Sequence, residues 1–266
     1  MEKLNNDCIL YICQFLSIRD KIQLFQVCKR FYSLIQFKND IVMYTKTNRH
    51  WIIKYEPCII LHKKIKRLSH FNNQLKCNVF FKLHALKLES CRLTKLPRMN
   101  KMYITNLNVS TNYFINIPSV IFEMTNLQIL QMDVNKINHL PDAIGKLTNL
   151  QHLSLSCNKI TTISPCIDKC IHLKILDLSL NQINELPESL GNLLLLQYLY
   201  LSSNKLTFIP DSFKNCKFLE ELTLNFNQLI YCPIYFNEFK YLKYLDINNN
   251  LIQDLYFFEN IEEFEQ

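Results

Sequence analysis

Two sets of positions, each spaced 23 residues apart, constrain this chain more than anything else in it. Ile104, Leu127, Leu150, Leu173, Leu196, Leu219 and Leu242 recur at that step. So do seven asparagines: Asn112, Asn135, Asn158, Asn181, Asn204, Asn227 and Asn250. Residues 173–196, LKILDLSLNQINELPESLGNLLLL, show the unit best. It reads L-x-x-L-x-L-x-x-N-x-I-x-x-L-P-x-x-L-x-x-L. A shorter unit begins at Leu83 and puts Cys91 in the asparagine position, 21 residues before Asn112. A register held over seven consecutive units is not a chance event. A fixed period of this size marks units that stack side by side.

The residue types explain why the units stack. In L-x-L the leucines alternate with outward residues, as in a short strand. One unit cannot bury its own leucines, so neighbours must pack together and join their strands into a parallel sheet over a continuous core. An asparagine at the turn after the strand carries two donors and an acceptor, enough to satisfy backbone groups that would otherwise be stranded. The L-P step leads out of the strand layer into an irregular or short helical segment. The expected fold class is α/β: a curved parallel sheet with an irregular or short-helical convex side.

The pattern resembles the intracellular leucine-rich repeats of the 23-residue, L-P-containing subtype, over residues 83–256 in about eight repeats. That resemblance implies a structural ladder made by the seven asparagines, with cysteine as its substitute at Cys91. Cys170, Cys216 and Cys232 fall where sister repeats carry Leu, Ile, Met or Phe, and are read as core filling. Cys166 is read as a neighbouring turn residue. Tyr256, Phe257 and Phe258, with the acidic 257–266 segment, are expected to cap the last repeat.

Residues 1–40 do not keep the period. Apolar residues at Ile9, Ile12 and Leu16, then Ile22, Phe25 and Val27, suggest two short amphipathic helices separated at Ser17 to Asp20. The stretch is similar to an F-box: Leu4, Asp7, Ile9, Leu10, Ile12, Phe15, Leu16, Ser17 and Asp20 match, followed by Val27, Cys28, Lys29 and Phe31. Asn5 stands where the family usually has proline. The resemblance implies that Leu4, Ile9, Ile12, Phe15, Leu16, Val27 and Phe31 form the surface that docks the Skp adaptor of a cullin-RING ubiquitin ligase, or the packing behind it. The alternative is a helical cap for the solenoid and no more.

Residues 41–82 read as a basic linker or N-terminal cap. Between 29 and 76 the chain has eleven Lys/Arg against Asp40 and Glu56. This segment holds the only tryptophan, Trp51, and the run KKIKR at 63–67, read as a solvated face rather than a nucleic-acid patch. The net charge of +7 is therefore local to one part of the chain.

Composition closes other classes. Gly145 and Gly191 are the only glycines, too few for a phosphate-cradling loop. The seven histidines show no metal-ligand spacing and no paired nucleophile. No cofactor is expected, and the chain is read as an interaction protein rather than an enzyme. No apolar run approaches a membrane span of about 18 residues. The scarcity of Gly and Ala beside abundant Lys, Asn and Ile looks like an AT-rich genome. Eleven cysteines without a secretion signal point to reduced thiols. The expected location is the cytoplasm or nucleus, of a host cell if the gene is viral.

Strand periodicity places one set of side chains on the concave face. From the third repeat on it comprises Ile129, Gln131, Asp133; His152, Ser154, Ser156; Ile175, Asp177, Ser179; Tyr198, Tyr200, Ser202; Glu221, Thr223, Asn225; Tyr244, Asp246, Asn248. None is Lys or Arg. The candidate target-binding residues are Asp133, His152, Asp177, Tyr198, Tyr200, Glu221, Tyr244 and Asp246. The expected partner there is a basic or mixed polar–aromatic protein segment, not nucleic acid, whose phosphates the acids would repel. Two functional readings follow. In one the chain is the substrate receptor of a Skp–cullin–F-box ligase, with the repeats holding the target. In the other the repeats form a scaffold or regulator with no ubiquitin outcome.

Overall fold

The computed structural model describes residues 84–96 and 104–253, together with three strands at 41–44, 58–62 and 263–265. The sequence repeat becomes a structural one without slippage. Each repeat contributes one three-residue strand: β3 Ala85–Lys87, β4 Asn106–Asn108, β5 Ile129–Gln131, β7 His152–Ser154, β9 Ile175–Asp177, β10 Tyr198–Tyr200, β11 Glu221–Thr223 and β12 Tyr244–Asp246. All pair in parallel, and Leu130, Leu153, Leu176, Leu199, Leu222 and Leu245 stand opposite one another along the sheet. These central leucines are buried while their two strand neighbours stay at least partly open in most strands.

The sheet runs past the repeats at both ends. Strands β1 (Ile41–Tyr44) and β2 (Cys58–His62) continue it in parallel ahead of β3, inside the segment expected to be a basic linker or cap. Strand β13 (Glu263–Glu265) adds to β12 from the acidic C-terminal segment. The described residues thus form one eleven-stranded sheet and a second ladder of two short strands, β6 (His139–Leu140) and β8 (Thr162–Ile163). The expected helices of residues 1–40, Trp51, the 63–67 basic run and Tyr256 to Phe258 lie outside the described residues.

Across the core from the sheet lies a row of one-and-a-half-turn 3-10 helices: Ser119–Glu123, Asp142–Lys146, Pro165–Lys169, Glu188–Asn192, Asp211–Asn215 and Ile234–Glu238. Proline stands immediately ahead of five of them, where its fixed φ suits the entry and its missing N–H costs nothing. In the Pro165–Lys169 helix Ser164 takes that place, and its hydroxyl accepts from the Cys166 N–H at 3.0 Å. Cys166 therefore belongs to a 3-10 helix rather than a turn. The tight 3-10 geometry fits because only one helical face must reach the core.

The only two glycines sit at one position of these helices. A Cβ on Gly191 would lie 2.2 Å from the Ser212 carbonyl oxygen of the next helix. At Gly145 the nearest atoms are 2.9 Å away, and one of them is the movable Lys169 side chain. Cys170, Cys216 and Cys232 are buried, as expected of core filling, and burial pushes each thiol up to about 12. They are inert hydrophobes at neutral pH. Toward the C-terminal end the core becomes aromatic: Phe236 and Phe239 stack at 5.6 Å, and Phe213 meets Phe239 edge-on at 6.0 Å.

The asparagine ladder explains the turn after each strand. Asn181 Oδ1 accepts from the Ile160 N–H, and its Nδ2 donates to the carbonyls of Leu155, Leu178 and Ser179, all at 3.0 Å. The other six asparagines repeat this set with their own counterparts, for example Asn135 with Phe114, Val109, Met132 and Asp133. Cys91 imitates it in part, its thiol donating to the Glu89 carbonyl at 3.3 Å.

To aim each amide inward, the residue ahead of it adopts the left-handed region. Thr111, Val134, Cys157, Leu180, Ser203, Phe226 and Asn249 all have φ between 53° and 56°. Only Asn249 is of a type that tolerates this readily. The six others are held there while their N–H groups extend the backbone ladder, as when Val134 donates to the Ser156 carbonyl at 2.9 Å.

Candidate functional site

The sheet's solvent face is the one described surface that gathers polar and aromatic side chains from every repeat. The expected members lie on it, but they are not equally available. Ser154 and Asp246 are buried, and the acids divide into two groups by what they already hold.

Asp133 is engaged on every side. Its Oδ1 accepts from the Ser154 hydroxyl and, at 2.9 Å, from the Ser156 N–H; its Oδ2 accepts from the Ser110 hydroxyl at 3.2 Å. The Asp133 N–H in turn donates to the Ser110 hydroxyl oxygen at 3.1 Å. One carboxylate thereby ties three successive repeats together. Asp177 and Asp246 close local turns, accepting from the N–H groups of Ser179 at 2.9 Å and Asn248 at 3.0 Å. Asn108 does the same for Ser110. These three residues share the last position of their strands, so the L-D-L spelling has a structural purpose of its own.

His152 lies near Asp133 and Asp177. Burial lowers its pKa, against the pull of Asp133 and Asp177 in the other direction. Burial raises the pKa of Asp177, partly offset by its hydrogen bonds from Ser179. Burial thus works against charge on both His152 and Asp177.

The last three repeats differ. Tyr198, Glu221 and Tyr244 are register partners on adjacent strands, so a carboxylate stands between two tyrosines. The Tyr200 hydroxyl donates to Glu221 Oε2 at 2.7 Å, and burial followed by this bond raises the phenol pKa. Glu221 keeps its other oxygen for a ligand. Thr223 and Ser202 hydrogen-bond beside it at 2.8 Å. This cluster can take a cationic or donor-bearing side chain beside aromatic residues.

The expected adaptor-docking residues, Leu4, Ile9, Ile12, Phe15, Leu16, Val27 and Phe31, lie outside the described residues. Among the described residues no cluster of His, Cys, Asp and Glu could hold a metal ion, and no helix is long and apolar enough to cross a membrane. The sequence reading missed an exposed apolar strip at the strand-entry turns, including Leu194, Leu195, Phe218 and Tyr241. Its signal was available: three of these four residues recur at the 23-residue step.

Comparison with known proteins finds two families along the chain. The leucine rich repeat model matches residues 103–160 and 171–229, and a two-copy leucine rich repeat model matches 148–192. An F-box domain model matches residues 1–41. Among solved structures, a leucine-rich-repeat protein of Leptospira interrogans is 33% identical with a TM-score of 0.69, covering 76% of this chain and 51% of its own. The leucine-rich-repeat ectodomain of a plant membrane receptor kinase from Arabidopsis thaliana, in complex with Casparian strip integrity factor 2, is 23% identical with a TM-score of 0.53, covering 73% of this chain and 27% of its own. A chain of the Toll–Spatzle complex of Drosophila is 22% identical with a TM-score of 0.58, covering 65% of this chain and 26% of its own. The last two show likeness of fold alone. The chain spans about half the length of the Leptospira protein and about a quarter of the other two. No curated protein matches it.

Proposed function

We propose, from the premise that this chain belongs to the proteins in which an F-box precedes leucine-rich repeats, that it is the substrate receptor of a Skp–cullin–F-box ubiquitin ligase. The F-box and the repeats make it a protein-interaction module. The finer reading divides the labour between them. Leu4, Ile9, Ile12, Phe15, Leu16, Val27 and Phe31 dock the Skp adaptor or pack behind the docking surface, and the sheet face holds a protein target. Ubiquitin is then transferred by other subunits, and this chain contributes proximity and orientation rather than a catalytic residue.

The F-box match at residues 1–41, on the N-terminal side of the repeats, is the observation that carries this reading. The target side rests on the face itself. No Lys or Arg stands among its strand-borne positions from Ile129 to Asn248, and Glu221, whose Oε2 accepts from Tyr200, is half-buried beside Tyr198 and Tyr244 in register. A basic or mixed polar–aromatic protein segment fits such a face, and a polyanion does not. We place the protein in the cytoplasm or nucleus, where the adaptor and the ligase core would meet it.

Co-purification of a Skp adaptor with the full chain tests the proposal. The double variant Ile9→Asp with Leu16→Asp is expected to lose the adaptor while the cooperative unfolding of the repeats stays unchanged. A wild-type chain that binds no Skp adaptor would retire the ubiquitin reading in favour of a scaffold, with Asn5 as the first residue to revert to proline.

A further inference from the structure

The strand-entry turns change character along the solenoid. In two early repeats the turn carries Thr125–Asn126 and Thr148–Asn149, and Asn149 Nδ2 donates to the Thr125 carbonyl at 2.9 Å, tying one repeat to the last. At the same step the later repeats carry Ile171–His172, Leu194–Leu195, Lys217–Phe218 and Lys240–Tyr241. Leucine and phenylalanine cannot make that bond. In its place they expose apolar surface: Leu194 is 55% exposed, Leu195 40%, Phe218 48% and Tyr241 45%. Phe218 and Tyr241 stack on each other at 5.8 Å, so this part of the strip is already ordered.

A stabilising tie has been exchanged for a contiguous apolar lip, which the fold itself does not need. Such a patch marks an interaction site on a soluble protein. Its position adds to this. Each lip residue lies three places ahead of a half-buried strand residue: Leu195 ahead of Tyr198, Phe218 ahead of Glu221, Tyr241 ahead of Tyr244. Between the lip and the tyrosine-flanked carboxylate stand only Gln197 and the ion pair of Glu220 with Lys243 at 3.1 Å, so the two lie close along the same three repeats.

We propose that the last three repeats form a two-part docking site for a peptide segment of the target: a large apolar side chain seats on the lip at Leu195, Phe218 and Tyr241, and a cationic side chain reaches Glu221 between Tyr198 and Tyr244. This rests on the reading that the sheet face holds a protein target. Charge selects the occupant. Glu221 uses one carboxylate oxygen for Tyr200 and stands in register between Tyr198 and Tyr244, a negative charge beside aromatic residues that favours Arg or Lys. A second copy of this chain fits poorly, because its own last three repeats would bring a lip, with Lys240 beside Tyr241, and no strand-borne cation to reach Glu221. The distance from lip to carboxylate is roughly three extended residues, so the two recognised side chains sit roughly two to four residues apart in the partner.

The test is a selection of phage-displayed random dodecapeptides on the intact chain. Selected peptides are expected to pair a large apolar residue with Arg or Lys at that spacing. Phe218→Ser and Glu221→Gln should each weaken their binding about tenfold, the scale of a modest hot spot. The glutamine can still accept from Tyr200, so this loss reports the charge and not a collapsed site. Unfolding midpoints of both variants should match wild type. Selection of peptides without a cation, selection of none, binding indifferent to both substitutions, or self-association of the chain that Phe218→Ser abolishes would each overturn the proposal. Adaptor co-purification on the same variants separates the two claims: peptide binding lost with the adaptor retained speaks to the lip, and the converse speaks to the ligase reading.

Discussion

Ile160 donates its backbone N–H to the side-chain oxygen of Asn181, 21 residues later, at 3.0 Å. The same amide supplies hydrogens to the carbonyls of Leu155, Leu178 and Ser179. Asn181→Leu replaces the amide with an apolar side chain of the same branching and leaves those four backbone groups without it. The loss should be about 1–3 kcal/mol, the cost of stranding buried polar groups. The counterpart at Asn250, which is only half-buried, should lose less because water can substitute there. Urea unfolding of the two variants, followed by circular dichroism, checks the order.

The left-handed residue ahead of each ladder asparagine supplies a gain rather than a loss. Val134 has φ of 53° and its side chain is exposed, so its β-branch is strained without compensation from burial. Val134→Asn should stabilise the chain by about 1 kcal/mol, because asparagine tolerates this region. The reverse change, Asn249→Val, should cost a similar amount. Thermal unfolding of both variants decides it, and equal midpoints would mean that the turn is not strained.

Gly191 and Gly145 offer a matched pair. Gly191→Ala puts a methyl against the backbone of Ser212, which cannot move without its whole helix, and should cost about 1–3 kcal/mol as an overpacking change. Gly145→Ala should cost less, since the flexible Lys169 side chain is one of the two atoms it meets first. A comparison of midpoints in denaturant measures the difference directly.

Asp177 carries a pH signature. Burial raises its folded pKa above the unfolded value, so its contribution is favourable below that unfolded value and turns into a cost as pH rises through the folded one. Asp177→Asn keeps an acceptor for the Ser179 N–H and removes the charge. The variant should be more stable than wild type at pH 7 and no more stable at pH 3. His152 works the other way: its folded pKa is lowered, so stability present above its unfolded value falls away as pH drops below it. Thermal midpoints across this range, for wild type and for Asp177→Asn, test both signs.

Much of this was legible in the sequence because the repeat reports its own geometry. Period 23 located the strands, the central leucines of L-x-L located the core, and one asparagine per unit located the turn. What stayed hidden depends on pairs of repeats read together. Asp133 looked like a free acid for a target until Ser110 and Ser154, in the repeats on either side, claimed its oxygens. The left-handed turn residues gave no signal, because Val134, Leu180 and Phe226 are types that avoid that region when alone. There the asparagine and the backbone ladder overrule local preference. The apolar lip was visible column by column at the 23-residue step but not along the chain, where Leu194 and Leu195 merge into a run of core leucines.

The ladder also has a direction. Every partner of the Asn181 side chain belongs either to its own repeat or to the one before, and the same holds for Asn135, Asn158, Asn204 and Asn227. A ribosome delivers the chain in that order. When each amide emerges, its acceptors and its donor have already been made, so the solenoid can lock one turn at a time as it is synthesised.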